Sequence, residues 1–113
     1  MIPPRRGEVW LVSLDPTKGH EQAGVRPALV LSVDGVNASA AGLVTVLPIT
    51  SKARAVRTRV EVLPPEGGLT LVSYVIGEQT RTVSKSRLTK ALGMVTPATM
   101  AKVADVVRVL LGL

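Results

Sequence analysis

Cysteine and phenylalanine are absent from the 113 residues, tryptophan, tyrosine and histidine occur once each, and acidic groups number 8 against 14 lysines and arginines. Without cysteine there is no disulfide framework, no thiolate metal site and no cysteine nucleophile, a composition that suits a reducing compartment. His20 has no second imidazole with which to close a transition-metal site, so neither a cofactor nor a metal is expected, although an oxygen-ligated magnesium site stays open. Two aromatics, Trp10 and Tyr74, are too few for a platform on which single-stranded bases stack; each reads as a core or rim residue. No apolar run approaches the ~20 residues of a bilayer-spanning helix. The basic start, Met1 to Arg6, leads into Gly7-Glu8 and not into the apolar stretch of a signal peptide, so the reading is a soluble, cytoplasmic protein with no membrane partner.

What the chain does contain is aliphatic. Hydrophobic residues make up 46% of it, so the core must be built from Val, Leu, Ile and Ala. The length suits one domain, residues 1–113, with spare apolar surface that points to a partner subunit. Strands are predicted over Glu8–Leu14, halted by Asp15-Pro16, over the nearly all-apolar Pro27–Val33, and over Leu43–Ile49, with Pro48 placed at an edge or strand end because it lacks a donor. Alternation predicts a half-exposed strand over Thr58–Leu63, a turn at Pro64–Gly68, and another strand over Leu69–Ile76. Thr82-Val83 reads as an extended stub, Ser84–Arg87 as one helical turn, and Leu88–Val95 as either helix or strand. Thr96-Pro97 is an N-cap followed by proline at the first helical position. Met100, Val103, Val107, Leu110 and Leu111 then recur at helical spacing up to Gly112. Several short strands followed by one helix describe a small, strongly bent sheet or barrel with the helix closing one side.

The segment Asp15 to Val30 hangs a charged loop between two apolar runs. Arg26 precedes Pro27, which pushes it towards an extended conformation and holds a fork of five donors on a stiff base. With a net charge of +6 and a pI near 10.6, phosphate is the favoured partner of such a fork. Two further stretches are basic with no acid inside them: Lys52, Arg54, Arg57 and Arg59, then Arg81, Lys85, Arg87 and Lys90. On a generic domain these would be solvated surface; beside the Arg26 loop they read as a polyanion-binding face whose affinity falls with salt. No predicted helix is basic enough along one face for a DNA major groove, so recognition falls to backbone contacts and to groups such as Gln22, Ser51, Glu78 and Gln79.

Five blocks then fall into a known order: Arg6 to Trp10, Asp15 to Gln22, Gly24 to Val30, Pro48 to Ser51, and Gln79 to Val83 leading to Arg87-Leu88. This pattern resembles the MazF/PemK family of toxin–antitoxin endoribonucleases across essentially the whole chain. The resemblance implies a mainly β fold with a C-terminal helix, a small SH3-like barrel of the CcdB/PemK toxin type, assembled as a homodimer. It also implies metal-independent cleavage of single-stranded RNA at short motifs, and silencing by an acidic antitoxin. The family's catalytic Arg and Thr fall on Arg26 and Thr50. Glu21 is the third candidate, either accepting the ribose 2′-OH proton or holding Arg26 in place; His20 is the other possible base, since imidazole is the usual side chain for proton transfer near neutral pH. RNA contacts are expected from Lys18, His20, Gln22, Ser51, Lys52, Arg54, Gln79, Arg81 and Arg87.

Two rivals remain on the residues alone. CcdB-like gyrase poisons share the fold and act by binding, but their action is associated with a C-terminal Trp-Gly-Ile tail, whereas this chain ends Leu110-Leu111-Gly112-Leu113. A basic barrel that binds RNA without cutting it is the second.

Overall fold

The computed structural model describes residues 2–15, 19–21 and 24–113. The described elements run β1 (Glu8–Ser13), β2 (Val25–Val30), α1 (Asp34–Asn37), β3 (Leu43–Thr50), β4 (Arg59–Val62), β5 (Ser73–Ile76), β6 (Arg81–Ser84), β7 (Leu88–Met94) and α2 (Pro97–Leu111), with 3-10 turns at Glu66–Gly68 and Lys85–Arg87. The paired strands are antiparallel and follow the order β4-β5-β3-β2-β1-β7, with β6 added to β3.

Alternation along the central strands divides the core into two layers. Val9, Leu29, Leu47 and Ile49 face Val60, Val62, Val75 and, from α2, Val103 and Val107. On the opposite face Val12, Ala28, Val30, Val44 and Val46 pack with Val83 and Leu88, and Trp10 lies against their rim. Strands β2 and β3 are thus covered on both sides, as their unbroken apolar runs predict. Each wholly buried Val, Leu or Ile contributes roughly 1.5–3 kcal/mol of transfer free energy, which lets an aliphatic core hold without phenylalanine.

The sheet bends enough to bring its two ends together. Beta-ladder irregularities between Val9 and Trp10 and between Leu11 and Val12 twist β7 against β1. The Glu66–Gly68 turn that follows β4 packs backbone to backbone on Leu92 and Gly93 of β7. Glu66 fastens this contact, its Oε2 accepting from the Thr96 N–H at 3.0 Å, at the positive end of α2. Thr96 caps that helix, its hydroxyl accepting from the Thr99 N–H at 3.2 Å, and Gly112 closes it in the left-handed region at φ +70°.

Several expectations are corrected. Pro48 lies neither at an edge nor at a strand end: it is buried inside β3, opposite Ala28. It occupies the point where β3 changes neighbours, β6 ending opposite Val46 and β5 beginning opposite Ile49, so no strand on that side asks it for a donor. Leu69–Val72 is not strand; the Ser73 hydroxyl donates to Leu71 O at 2.8 Å and closes a bend, so β5 starts only at Ser73. Leu88–Met94 resolves as strand, and the Ser84–Arg87 helical turn forms as a 3-10 turn over Lys85–Arg87 with Ser84 as its cap. The short α1 had no periodic signal. Leu110 and Leu111, which share the helical spacing of Val103 and Val107, are exposed by 44% and 59% in the single chain.

The contact that joins the sheet's ends has a direct test. At Gly68, with φ +71°, a Cβ would lie 2.0 Å from Leu92 O. Gly68→Ala should lower the unfolding free energy by about 2–4 kcal/mol in urea denaturation, and a change below about 0.5 kcal/mol would show that the contact yields freely.

Candidate nucleic-acid interface

Arg26 is the second residue of β2, one position deeper than a strand mouth, and is exposed. In register, Ala28 lies opposite Pro48; carried two residues further along the same antiparallel ladder, the pairing sets Arg26 across from Thr50. Thr50 ends β3, opposite Tyr74 of β5, and is only 5% exposed. Its Oγ1 accepts from the Lys52 N–H at 3.2 Å, an arrangement that keeps the hydroxyl's own proton available to give. Arg26 and Thr50 line one cleft of about 200 Å³ with Ser51, Ser73, Ile49 and Leu71.

Thr50 also lines a second hollow of about 510 Å³, with His20, Lys52, Arg54, Arg59, Glu78 and Gln79. Glu78 and Gln79 in turn border a third, of about 240 Å³, with Glu21 and Arg81. Shared residues therefore string the three hollows into one groove, polar and basic in its middle and with an aliphatic side at the Arg26 end. Glu21, an exposed residue, stands in the third hollow beside Arg81, not in the Arg26 cleft. Lys18 and Gln22 lie outside the described residues.

The expected basic contacts divide by what they touch. Lys52, Arg54 and Arg57 are exposed. Arg59 is not a free cation: its Nη2 and Nε lie 3.2 and 3.3 Å from Glu78 Oε2, and its side chain is 8% exposed. Arg81 Nη1 donates to Leu14 O at 2.6 Å, and Arg87 Nη1 donates to the carbonyls of Ser13, at 3.2 Å, and Asp15. Gln79 Nε2 donates to His20 O at 3.3 Å, tying the groove floor to the loop above it.

Glu78 was read from sequence only as a polar group, and its pairing with Arg59 had no signal, since 19 residues separate them. The lining by Leu71 was equally hidden. Burial pushes the Glu78 carboxyl up, but hydrogen bonds from its own backbone, the Thr58 hydroxyl at 2.8 Å and Arg59 outweigh that and hold it below the usual carboxylate value. Among the described residues, no three His, Asp or Glu side chains gather as a metal site would require, and no helix is long and apolar enough to cross a membrane.

A family model described as "PemK-like, MazF-like toxin of type II toxin-antitoxin system" matches residues 5–111, and the chain belongs to that family. It is 36% identical over 114 residues to "Endoribonuclease MazF9" of Mycobacterium tuberculosis, covering 96% of this chain and 97% of the relative. To "Endoribonuclease PemK" of Escherichia coli it is 40% identical over 100 residues, 87% of this chain and 74% of the relative. Among solved structures, MazF from Deinococcus radiodurans matches with a TM-score of 0.89 at 30% identity, covering 100% of both chains. A mycobacterial endoribonuclease in complex with its cognate antitoxin matches with a TM-score of 0.82 at 31% identity over 97% of this chain and 96% of that one.

The low Glu78 pKa sets a pH window. A depressed carboxyl adds stability above its unfolded value, ordinarily 4.5, and that contribution is lost as pH falls through the lower folded value. Glu78→Gln should therefore flatten the acid limb of stability below pH 4.5, in urea midpoints taken across pH. Glu66, held low because its bonds to Thr99 and Thr96 and the nearby Lys102 outweigh burial, acts in the same window, so flattening and not abolition is expected. An acid limb as steep as that of the unmodified chain would contradict the Arg59–Glu78 account.

Proposed function

We propose that this chain, as a single domain over residues 1–113, is the toxin of a type II toxin–antitoxin pair: a cytoplasmic endoribonuclease that cuts single-stranded messenger RNA at short motifs without a metal and so stops translation. The observation that carries the reading is the placement of the Arg26 guanidinium and the Thr50 hydroxyl on one cleft by the β2–β3 register. The named relatives are endoribonucleases, which favours cutting over gyrase binding and over RNA binding alone.

RNA carries its own nucleophile, so the protein has to orient the sugar-phosphate and stabilise charge as it develops. The ribose 2′-oxygen attacks the adjacent phosphorus and gives up its proton to a base. Arg26 pairs with the non-bridging oxygens of the phosphorane while Thr50 donates a hydrogen bond to one of them. The 5′-oxygen of the next nucleotide leaves and takes a proton, giving a 2′,3′-cyclic phosphate and a 5′-OH. Glu21 and His20 both stand on the loop over the groove and are the two candidates for the base. Lys52, Arg54, Ser51, Gln79 and His20, which line the groove, hold the strand on either side of the scissile bond in this reading, and Lys18 and Gln22 are further contacts expected from sequence.

Partners follow from the same surfaces. An acidic antitoxin segment would lie along the basic groove and compete with RNA for its donors. The exposed end of α2, with Val109 at 81%, Leu111 at 59% and Leu113 at 82% exposure, favours a homodimer that covers it.

Arg26→Ala and Thr50→Ala, each still folded by circular dichroism, should lose about 10²-fold or more in cleavage of single-stranded RNA in EDTA, with cyclic phosphate ends recovered from the unmodified chain. Full activity in either variant would remove that residue from the chemistry. Light scattering at micromolar concentration should give twice the mass of the 11.9 kDa chain, and a monomer would dismiss the dimer.

A further inference from the structure

The β1–β2 loop closes on a narrow neck. Leu14 N–H donates to Gly24 O at 2.9 Å, and Gly24 N–H donates to Asp15 Oδ1 at 2.9 Å. From outside, two guanidinium groups hold three consecutive carbonyls of that neck. In an extended chain successive carbonyls point to opposite sides, so those of Ser13 and Asp15 share a side and that of Leu14 faces away. Arg87 takes the first pair and Arg81 takes the other. Both come from one short stretch, β6 and the 3-10 turn after it, and Gln79, just before β6, adds its bond to His20 O.

We infer that Arg81 and Arg87 are positioning residues, which clamp the neck of the β1–β2 loop and so fix His20, Glu21 and the approach to Arg26 over the groove, without themselves binding the RNA phosphates. This rests on the endoribonuclease reading above. The donors reach carbonyls at the end of β1 and just past it, and a one-ångström misplacement of a catalytic loop is enough to cost a large part of the rate. Charge at positions 81 and 87 thus acts on cleavage through the loop.

The test separates a phosphate contact from a clamp by salt dependence. Arg81→Ala, Arg87→Ala and Arg87→Lys, with Lys52→Ala for comparison, are first confirmed as folded by circular dichroism. Affinity for a single-stranded oligonucleotide blocked with 2′-deoxy residues is then measured between about 50 and 200 mM salt. Lys52→Ala should reduce the slope of log affinity on log salt by about 0.7, the signature of one lost phosphate contact on a single strand. Arg81→Ala and Arg87→Ala should keep the slope of the unmodified chain, lower kcat on cleavable RNA by roughly tenfold or more, and accelerate amide exchange at Leu14 and Gly24. Arg87→Lys, which still offers donors to the Ser13 and Asp15 carbonyls, should recover part of kcat and slow that exchange, and it substitutes for Arg87→Ala if the latter fails to fold. A slope reduced by about 0.7 in the Arg81 or Arg87 variants would overturn the inference, as would exchange at Leu14 and Gly24 equal to that of the unmodified chain. If the unmodified chain cuts no RNA the functional reading falls, and the exchange rates still decide whether the clamp exists.

Discussion

Strand β3 has to serve three neighbours, and the position of the site follows from how it does so. Along one edge it pairs with β2; along the other it pairs first with β6, through Val46, and then with β5, from Ile49. Pro48 stands at the handover, where an N–H would have had no partner. The β2 pairing sets Ala28 opposite Pro48, and that register carried on by two residues brings Thr50 to the level of Arg26. Because β5 takes over beyond Pro48, Thr50 is backed by Tyr74 and almost wholly buried, with the Lys52 amide orienting its oxygen. A one-residue slip in the β2–β3 register would turn one of the two side chains to the opposite face of the sheet. Burial of both faces forbids such a slip, since Leu29, Leu47 and Ile49 would exchange layers with Ala28, Val30 and Val46. The aliphatic core is therefore what holds β2 and β3 in the register that sets Arg26 and Thr50 on one cleft.

The same bookkeeping of layers explains which parts of the fold were legible. Strands β1, β2 and β3 announce themselves by apolar runs ended by turn residues. The α2 helix announces itself through Thr96, Pro97 and Gly112, each in the role its chemistry suits. Residues 69–72 misled because Leu69, Leu71 and Val72 have strand character, while a single hydroxyl bond from Ser73 bends the chain away. For Leu110 and Leu111 periodicity shows which face of the helix is apolar, not what covers it. Arg26 and Thr50 could be paired from the resemblance. The groove that continues from them could not, because it depends on where residues 59, 78 and 79 meet residues 20, 50 and 52 across strands distant in sequence.

Net charge proves a poor map of the binding surface. The +6 excess invites every lysine and arginine to be read as a hand held out to phosphate. Yet Arg6 Nη1 donates to Leu31 O, Lys85 Nζ to Asn37 O at 2.8 Å, and Arg81 and Arg87 to the carbonyls that end β1, while Arg59 is paired with Glu78. These carbonyls lie at or near the ends of strands and of α1, where a buried acceptor left unsatisfied costs about 1–3 kcal/mol. Long basic side chains can reach them from a neighbouring element, bury their methylene stems against the aliphatic core and keep one side of the head group in water. In a chain with only two aromatic residues, that double service supplies both packing and hydrogen bonding. Arg26, Lys52, Arg54 and Arg57 are exposed, and the first three line the hollows that Thr50 joins. The field that draws an anion towards this face arises from the whole excess, since charges sum at distance whatever hydrogen bonds they make. Only the exposed subset can release counterions one for one at contact. Attraction at a distance and contact at the surface need not fall to the same arginines, so strand ends can be braced by cations without weakening the field that draws an anion.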